Sequence, residues 1–140
     1  MNVLFFLTPK NEVDCAFEDD TLAQAWQRME NHKYSAIPII NETTGRYVGT
    51  LTADDLVRDI RERGTNKVLK LESSRSVMSV KRKRDYKPIS ASARIEELYK
   101  SAMTQNFVPV VDDTETFIGI VTRTSIIQYL VGRVSDLEED

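Results

Sequence analysis

Cysteine and histidine each occur once, as Cys15 and His32. A single cysteine excludes an intrachain disulfide and a thiolate metal cluster. A single histidine leaves no material for a His-rich zinc site or a Ser–His–Asp relay, so no metal site is expected. Cys15 reads as a small strand residue without an adjacent base, and His32 as a helix-end residue. Only five glycines and four prolines occur in 140 residues, which excludes collagen-like and low-complexity chains. Long apolar runs are also missing. Val3–Leu7, closed by Thr8-Pro9, is too short for a signal-peptide core or a membrane span. The expectation is a cytoplasmic protein with no membrane partner. The formal net charge of −3 gives no global attraction to nucleic acid. The basic run Lys81-Arg82-Lys83-Arg84 has only Tyr86 beside it as an aromatic, and no recognition-helix pattern is visible. Nucleic acid is therefore disfavoured as a partner. No P-loop and no nucleophile–base pair is visible, and Asp54 and Asp55 are adjacent on a helix and point in different directions. No enzymatic activity and no required cofactor are expected.

What the chain does contain is said twice. Ile37-Pro38-Ile39-Ile40, a turn, and Tyr47-Val48-Gly49-Thr50-Leu51-Thr52 lead into a helical run. About seventy residues later, Val108-Pro109-Val110-Val111, a turn, and Phe117-Ile118-Gly119-Ile120-Val121-Thr122 do the same. An internal repeat fixes architecture before any single motif does.

Upstream of the first pair, Thr21-Leu22-Ala23-Gln24 is a capping-box pattern. Leu22, Ala25, Trp26 and Met29 follow at helical spacing to about His32, with Trp26 expected in the core. Val3–Leu7 reads as a short buried strand or an interface segment, either core or dimer contact, and Val13–Phe17 as a second short strand. Leu56, Val57 and Ile60 mark a second helix ending near Gly64. The second copy starts a strand at Pro88-Ile89-Ser90, with Ser92 as helix cap. Ile95, Leu98, Tyr99, Ala102 and Met103 give its first helix, and Ile126, Ile127 and Leu130 its second. The expected organisation is an N-terminal segment 1–12, a first unit 13–64, a basic connector 65–87, a second unit 88–134 and an acidic tail 135–140. A short helical piece is expected near 68–71. Each βαββα unit alone is a poor core, so the two should fold together about a pseudo-two-fold axis, giving an α/β protein with clefts at the seam.

The paired sequences from Ile37 to Leu56 and from Val108 to Ile126 resemble the tandem cystathionine β-synthase (CBS) domain pair, or Bateman module. The resemblance covers about Val13–Ile60 and Pro88–Val131, and the remainder is too short for an appended catalytic or DNA-binding domain. It implies a regulatory module that binds AMP, ADP, ATP or a related adenine nucleotide in a cleft between the two motifs and signals occupancy to an effector protein. It also implies a homodimer through the CBS helices. The cyclic dinucleotide c-di-AMP shares the same chemical groups, and a structural dimerisation module with decayed sites is the alternative reading.

In the family, the threonine of Gly-x-x-Thr contacts phosphate and an acid three residues later takes the ribose hydroxyls. Thr52 and Asp55 match both positions. Around the first strand and before the proline, the resemblance nominates Tyr34, Ile37, Asn106, Phe107 and Val108 for adenine. In the second motif Thr122 is present, but Ser125 replaces the acid, which predicts one competent site and one weakened or empty site. In related pairs, cations of this connector line the phosphate end of a cleft, so the resemblance nominates Arg84 and Lys87, then Arg82, with Arg123 as an extra candidate. The arginines suit phosphate because a guanidinium donates two parallel hydrogen bonds. Thr52-Ala53-Asp54-Asp55 is equally a helix capping box. The two roles are compatible, because a helix N-terminus presents free amides to an anion.

Overall fold

The computed structural model describes residues 1–63, 75–83 and 85–139. The chain divides into two compact units. One is Asp14–Tyr86, and the other combines Met1–Val13 with Lys87–Asp140. Each repeat therefore lends its leading segment to the unit built on the other repeat. The helical piece expected near 68–71 lies outside the described residues.

In the Asp14–Tyr86 unit, β2 (Ala16–Phe17), β3 (Ala36–Ile40) and β4 (Tyr47–Thr52) form a sheet in the order β2-β3-β4. Helix α1 (Leu22–His32) starts on the predicted capping box: Gln24 N–H donates to Thr21 Oγ1 at 3.2 Å, and Thr21 N–H donates to Gln24 Oε1 at 2.8 Å. Its inner face, Leu22, Ala25 and Met29, meets Ala16, Ile37, Ile39 and Leu51. Burying each of the larger side chains stabilises the unit by about 1.5–3 kcal/mol. Val77 and Val80 complete this core. They are held there because Leu22 N–H donates to Arg75 O and Val77 N–H to Asp20 O. Helix α2 (Ala53–Arg63) follows β4 directly, with Asp54 and Asp55 in its first turn and Arg61 and Arg63 in its last, complementing the helix dipole at both ends.

Trp26 is not in this core. It is 46% exposed, because it sits at the margin of the α1 stripe, towards α2. There it lines a hollow of about 470 Å³ with Leu22, Leu56, Val57 and Ile60. Val57 and Ile60 are exposed as well, and only Leu56 of that predicted face packs on the core.

The other unit has a four-stranded sheet in the order β1-β7-β6-β5, from β1 (Thr8–Pro9), β5 (Ile89–Ser90), β6 (Phe107–Val111) and β7 (Phe117–Thr122). Two helices accompany it: α3 (Ile95–Ala102) and α4 (Arg123–Glu139). Val3–Leu7 is not a strand. Val3–Phe6 is a 3₁₀ turn capped by Asn2, whose side chain accepts from Leu4 N–H at 3.0 Å. Three residues per turn put Val3 and Phe6 on one side, and both enter the core with Leu98, Val108, Val110, Val121 and Ile126. Ser92 does not cap α3. Its N–H donates back to Ser90 Oγ at 3.1 Å, and the helix begins after Arg94. In α4, Ile126 is buried while Ile127 and Leu130 are exposed.

The repeated proline has a structural reason. Pro38 and Pro109 stand in central strands, where a missing amide would normally break a ladder. In both sheets the parallel pairing begins one residue later, Ala16 opposite Ile39 and Ile89 opposite Val110, so that ladder loses nothing.

Candidate functional site

Thr52 ends β4 and Asp55 lies in the first turn of α2, so the two meet at a strand-to-helix corner. Asp55 N–H donates to Thr52 Oγ1 at 3.1 Å, and Thr52 N–H donates to Asp55 Oδ2 at 3.1 Å. The capping box is thus formed in full. Asp55 is nevertheless only 3% exposed, and a buried carboxylate needs partners beyond a single amide. Its Oδ1 accepts from Arg58 Nη2 and from the backbone N–H of Lys83, the latter at 3.2 Å. Arg58 was not among the sequence-nominated residues. It stands three residues beyond Asp55 on the same helix face, and that spacing is the signal that would have found it.

Arg58 Nη2 also donates to Lys81 O at 3.3 Å. It joins Arg61, Lys81, Arg82 and Lys83, with Asp54, Val57 and Glu62, around an open groove of about 610 Å³. Arg82 lines this groove but is engaged: Nε and Nη2 donate to the two oxygens of Asp85 at 2.6 and 3.2 Å. Asp85 in turn accepts from Thr50 N–H at 3.1 Å and lies over Gly49, where an added Cβ would overlap its carboxylate. Tyr47 completes the corner, its hydroxyl 2.6 Å from Thr50 Oγ1 and donating to Tyr86 O at 2.8 Å. Burial pushes the Tyr47 phenol well above its ordinary value near 10, against the opposing pull of the Thr50 hydroxyl. Arg84 lies outside the described residues.

Of the other nominated residues in this unit, Ile37 is fully buried opposite Leu51 and serves the core. Tyr34 is partly buried against the same core and stacks on His32, with ring centroids 5.0 Å apart. His32 Nε2 lies 2.9 Å from Asp14 Oδ2.

The second repeat forms an uncharged version of the corner. Thr122 Oγ1 and Ser125 Oγ are 2.9 Å apart, and Ser125 N–H donates to Thr122 Oγ1 at 3.1 Å. Arg123 points elsewhere: its guanidinium donates to Ala102 O and Met103 O at 2.7 and 3.4 Å, satisfying carbonyls at the end of α3. Phe107 pairs with Thr122 across the sheet, and Val108 is fully buried in the core. Asn106 is exposed, as is Lys87. Lys87 is fixed through its backbone by buried Gln105, whose Oε1 accepts Lys87 N–H at 2.9 Å. Among the described residues no three metal-capable side chains gather, and no helix is long and apolar enough to cross a membrane.

Comparison with known proteins adds to this geometry. The CBS domain model matches the chain twice, over residues 7–62 and 77–132. An uncharacterized protein of Methanocaldococcus jannaschii is 22% identical over 145 residues, covering 94% of this chain and 50% of the relative. The chain thus spans half the length of that curated relative. A hypothetical conserved protein of Geobacillus kaustophilus superposes with a TM-score of 0.84 at 22% identity, covering 95% of this chain and 98% of the other. Listeria monocytogenes CbpB in complex with c-di-AMP gives 0.81 at 22% identity, with 96% and 98% covered. CBSX2 in complex with AMP gives 0.74 at 20% identity, with 94% and 96% covered. At these identities the likeness is one of fold.

Proposed function

This chain belongs to the CBS-domain family, and on that premise we propose that it is a regulatory, non-catalytic module of the cytoplasm that binds an adenine nucleotide at the Thr52–Asp55 corner. AMP, ADP, ATP and c-di-AMP are the ligands in question, and occupancy passes to an effector protein. The observation that carries the reading is Asp55: a buried carboxylate at a strand-to-helix corner, beside a groove lined by five cationic side chains. Two acceptor oxygens suit the vicinal hydroxyls of a ribose, and the cations suit phosphate. Two proteins of the same fold were solved with such ligands, c-di-AMP and AMP.

The test is a thermal-shift and calorimetry panel of AMP, ADP, ATP and c-di-AMP on wild type and Asp55→Ala. A ligand that binds only the folded state adds about 2.7 kcal/mol at a hundredfold excess over Kd. For a chain of this size that is a rise on the order of ten degrees. The expected result is a shift with one nucleotide, lost in Asp55→Ala. Affinity unchanged by Asp55→Ala refutes the anchor.

A structural dimerisation module is the second reading, favoured by Ser125 and by the exposed Trp26, Val57, Ile60, Ile127 and Leu130. A flat ligand panel together with a dimer that Trp26→Glu converts to monomer selects it. A homodimer through these helices is compatible with the first reading too.

A further inference from the structure

We propose that connector residues Lys81–Lys83 with Asp85 and Tyr86 are a built-in competitor for the Asp55 carboxylate, so that a nucleotide and this strap hold Asp55 in turn and never together. The proposal rests on the reading of Thr52–Asp55 as the ligand corner. A carboxylate offers about four acceptor positions. Three are taken: by Thr52 N–H, by Arg58 and by Lys83 N–H. A vicinal diol needs two, so at least one present partner must leave. Thr52 N–H belongs to the capping box and stays with the helix start. The partners free to leave are Lys83 N–H and Arg58, and both hold the strap, since Arg58 also donates to Lys81 O.

Tyr86, buried at 7% exposure, anchors the far end of the strap, and polar contacts tie the segment before it. Asp85 accepts one amide from Thr50, Tyr86 O accepts the Tyr47 hydroxyl, and glycine at 49 leaves room for the Asp85 carboxylate. All lie along β4, the outer strand of its sheet among the described residues. The second-repeat unit closes the equivalent edge differently. There β1 pairs with β7 as a true ladder, Thr8 opposite Ile120 and Pro9 opposite Gly119. The unit that carries the carboxylate thus has a detachable strap, and the unit that carries Ser125 has a strand. The strap also runs directly into Lys87, where the other unit resumes.

Trypsin reads the strap, because it cuts after Lys81, Arg82 and Lys83. Wild type, Asp85→Ala and Tyr47→Phe are digested with and without AMP, ATP and c-di-AMP, and the Kd of each nucleotide is measured by calorimetry. Circular dichroism checks that each variant is folded, and Tyr47→Phe serves if Asp85→Ala is not. The expected result is faster cleavage at 81–83 when nucleotide binds. Loosening the strap should also give faster cleavage without ligand and binding about fivefold tighter, the worth of one lost competing hydrogen bond. Asp55-dependent binding with unchanged or slower cleavage, and unchanged affinity in the variants, overturns the proposal while leaving the ligand site standing. A wild type that binds none of the three overturns the ligand reading and the competition together.

Discussion

Replacing Asp59 by alanine should destabilise the Asp14–Tyr86 unit by about 3–5 kcal/mol, far more than an ordinary surface ion pair is worth. Arg75 presents both terminal nitrogens to the Asp59 carboxylate, Nη2 to Oδ1 at 2.7 Å and Nη1 to Oδ2. The side chains are only 7% and 10% exposed. Arg63 Nε adds a third donor at 3.1 Å. Among the described residues the Arg75 Nε is already buried without a partner, and loss of Asp59 would leave the guanidinium only Ser79 O, at 3.2 Å, as acceptor there. The cost is the desolvation of a stranded cation, larger than the pair itself contributes. Urea unfolding measures it directly, and in a melt of a chain this size it amounts to roughly 10–20 °C. Asp59→Leu with Arg75→Met should recover most of the loss, since apolar replacement of a buried pair is often neutral. The pair also has a pH signature. The Arg75 hydrogen bond, set against burial, holds the Asp59 pKa below 3.8. Its stabilisation is therefore complete above the unfolded carboxylate value and disappears as pH falls through the lower folded value. A single variant costing under about 1 kcal/mol, or a double variant worse than the single, refutes this account.

Three further outcomes follow from single positions. Gly119 has φ +155°, and an added Cβ would collide with Thr8 O and the Leu7 side chain; Gly119→Ala should cost roughly 2–4 kcal/mol by dislodging β1, read by urea unfolding and by faster hydrogen exchange at residues 7–9. Glu115 has φ 65° at the turn position where the first repeat has Gly45, φ 75°; Glu115→Gly should therefore stabilise by up to about 1 kcal/mol, and any loss refutes the strain argument. The raised Tyr47 pKa means that its phenol stays protonated while an ordinary tyrosine ionises near pH 10, so Tyr47→Phe should leave the amplitude of the ultraviolet titration there unchanged. As a group with a raised folded pKa, Tyr47 contributes stability that is full below pH 10 and is lost as pH climbs towards the folded value.

The repeat, its strand pairs and the α1 cap were legible because each rests on local rules: alternation, turn residues and capping chemistry act within a few residues. The strand expected at Val3–Leu7 failed for a local reason too. An apolar run of five fits a strand or a turn equally, and the Asn2 cap decided it. Trp26 failed for a non-local one, since helical spacing says which residues share a face but not how wide a stripe the sheet covers. The role of Asp85 was illegible, as its partners Gly49 and Thr50 lie some 35 positions away and no periodicity links them. Arg82 was nominated for phosphate from its charge and its place in the connector of a CBS-like pair; its engagement by Asp85 depends on a fold in which the connector doubles back on the first repeat. Residue type announced a cation, and only packing revealed its partner.

The two repeats differ at positions that belong together. The first corner has Asp55, Arg58 and a strap that reaches both. At the equivalent places the second has Ser125, Gln128 and a β-ladder along its sheet edge. Piecemeal decay of a charged site would leave a cation or a carboxylate behind, and an unmatched half-buried charge is costly. Instead, acid and base are absent as a pair, the helix start is still capped through Thr122 and Ser125, and Arg123 is bonded to α3 carbonyls. Every group the second corner keeps serves folding. At the first corner the capping carboxylate, Asp55, is buried and accepts in addition from Arg58 and from Lys83 N–H. On that asymmetry rests the proposal of ligand chemistry at the first repeat's corner and scaffold chemistry at the second's.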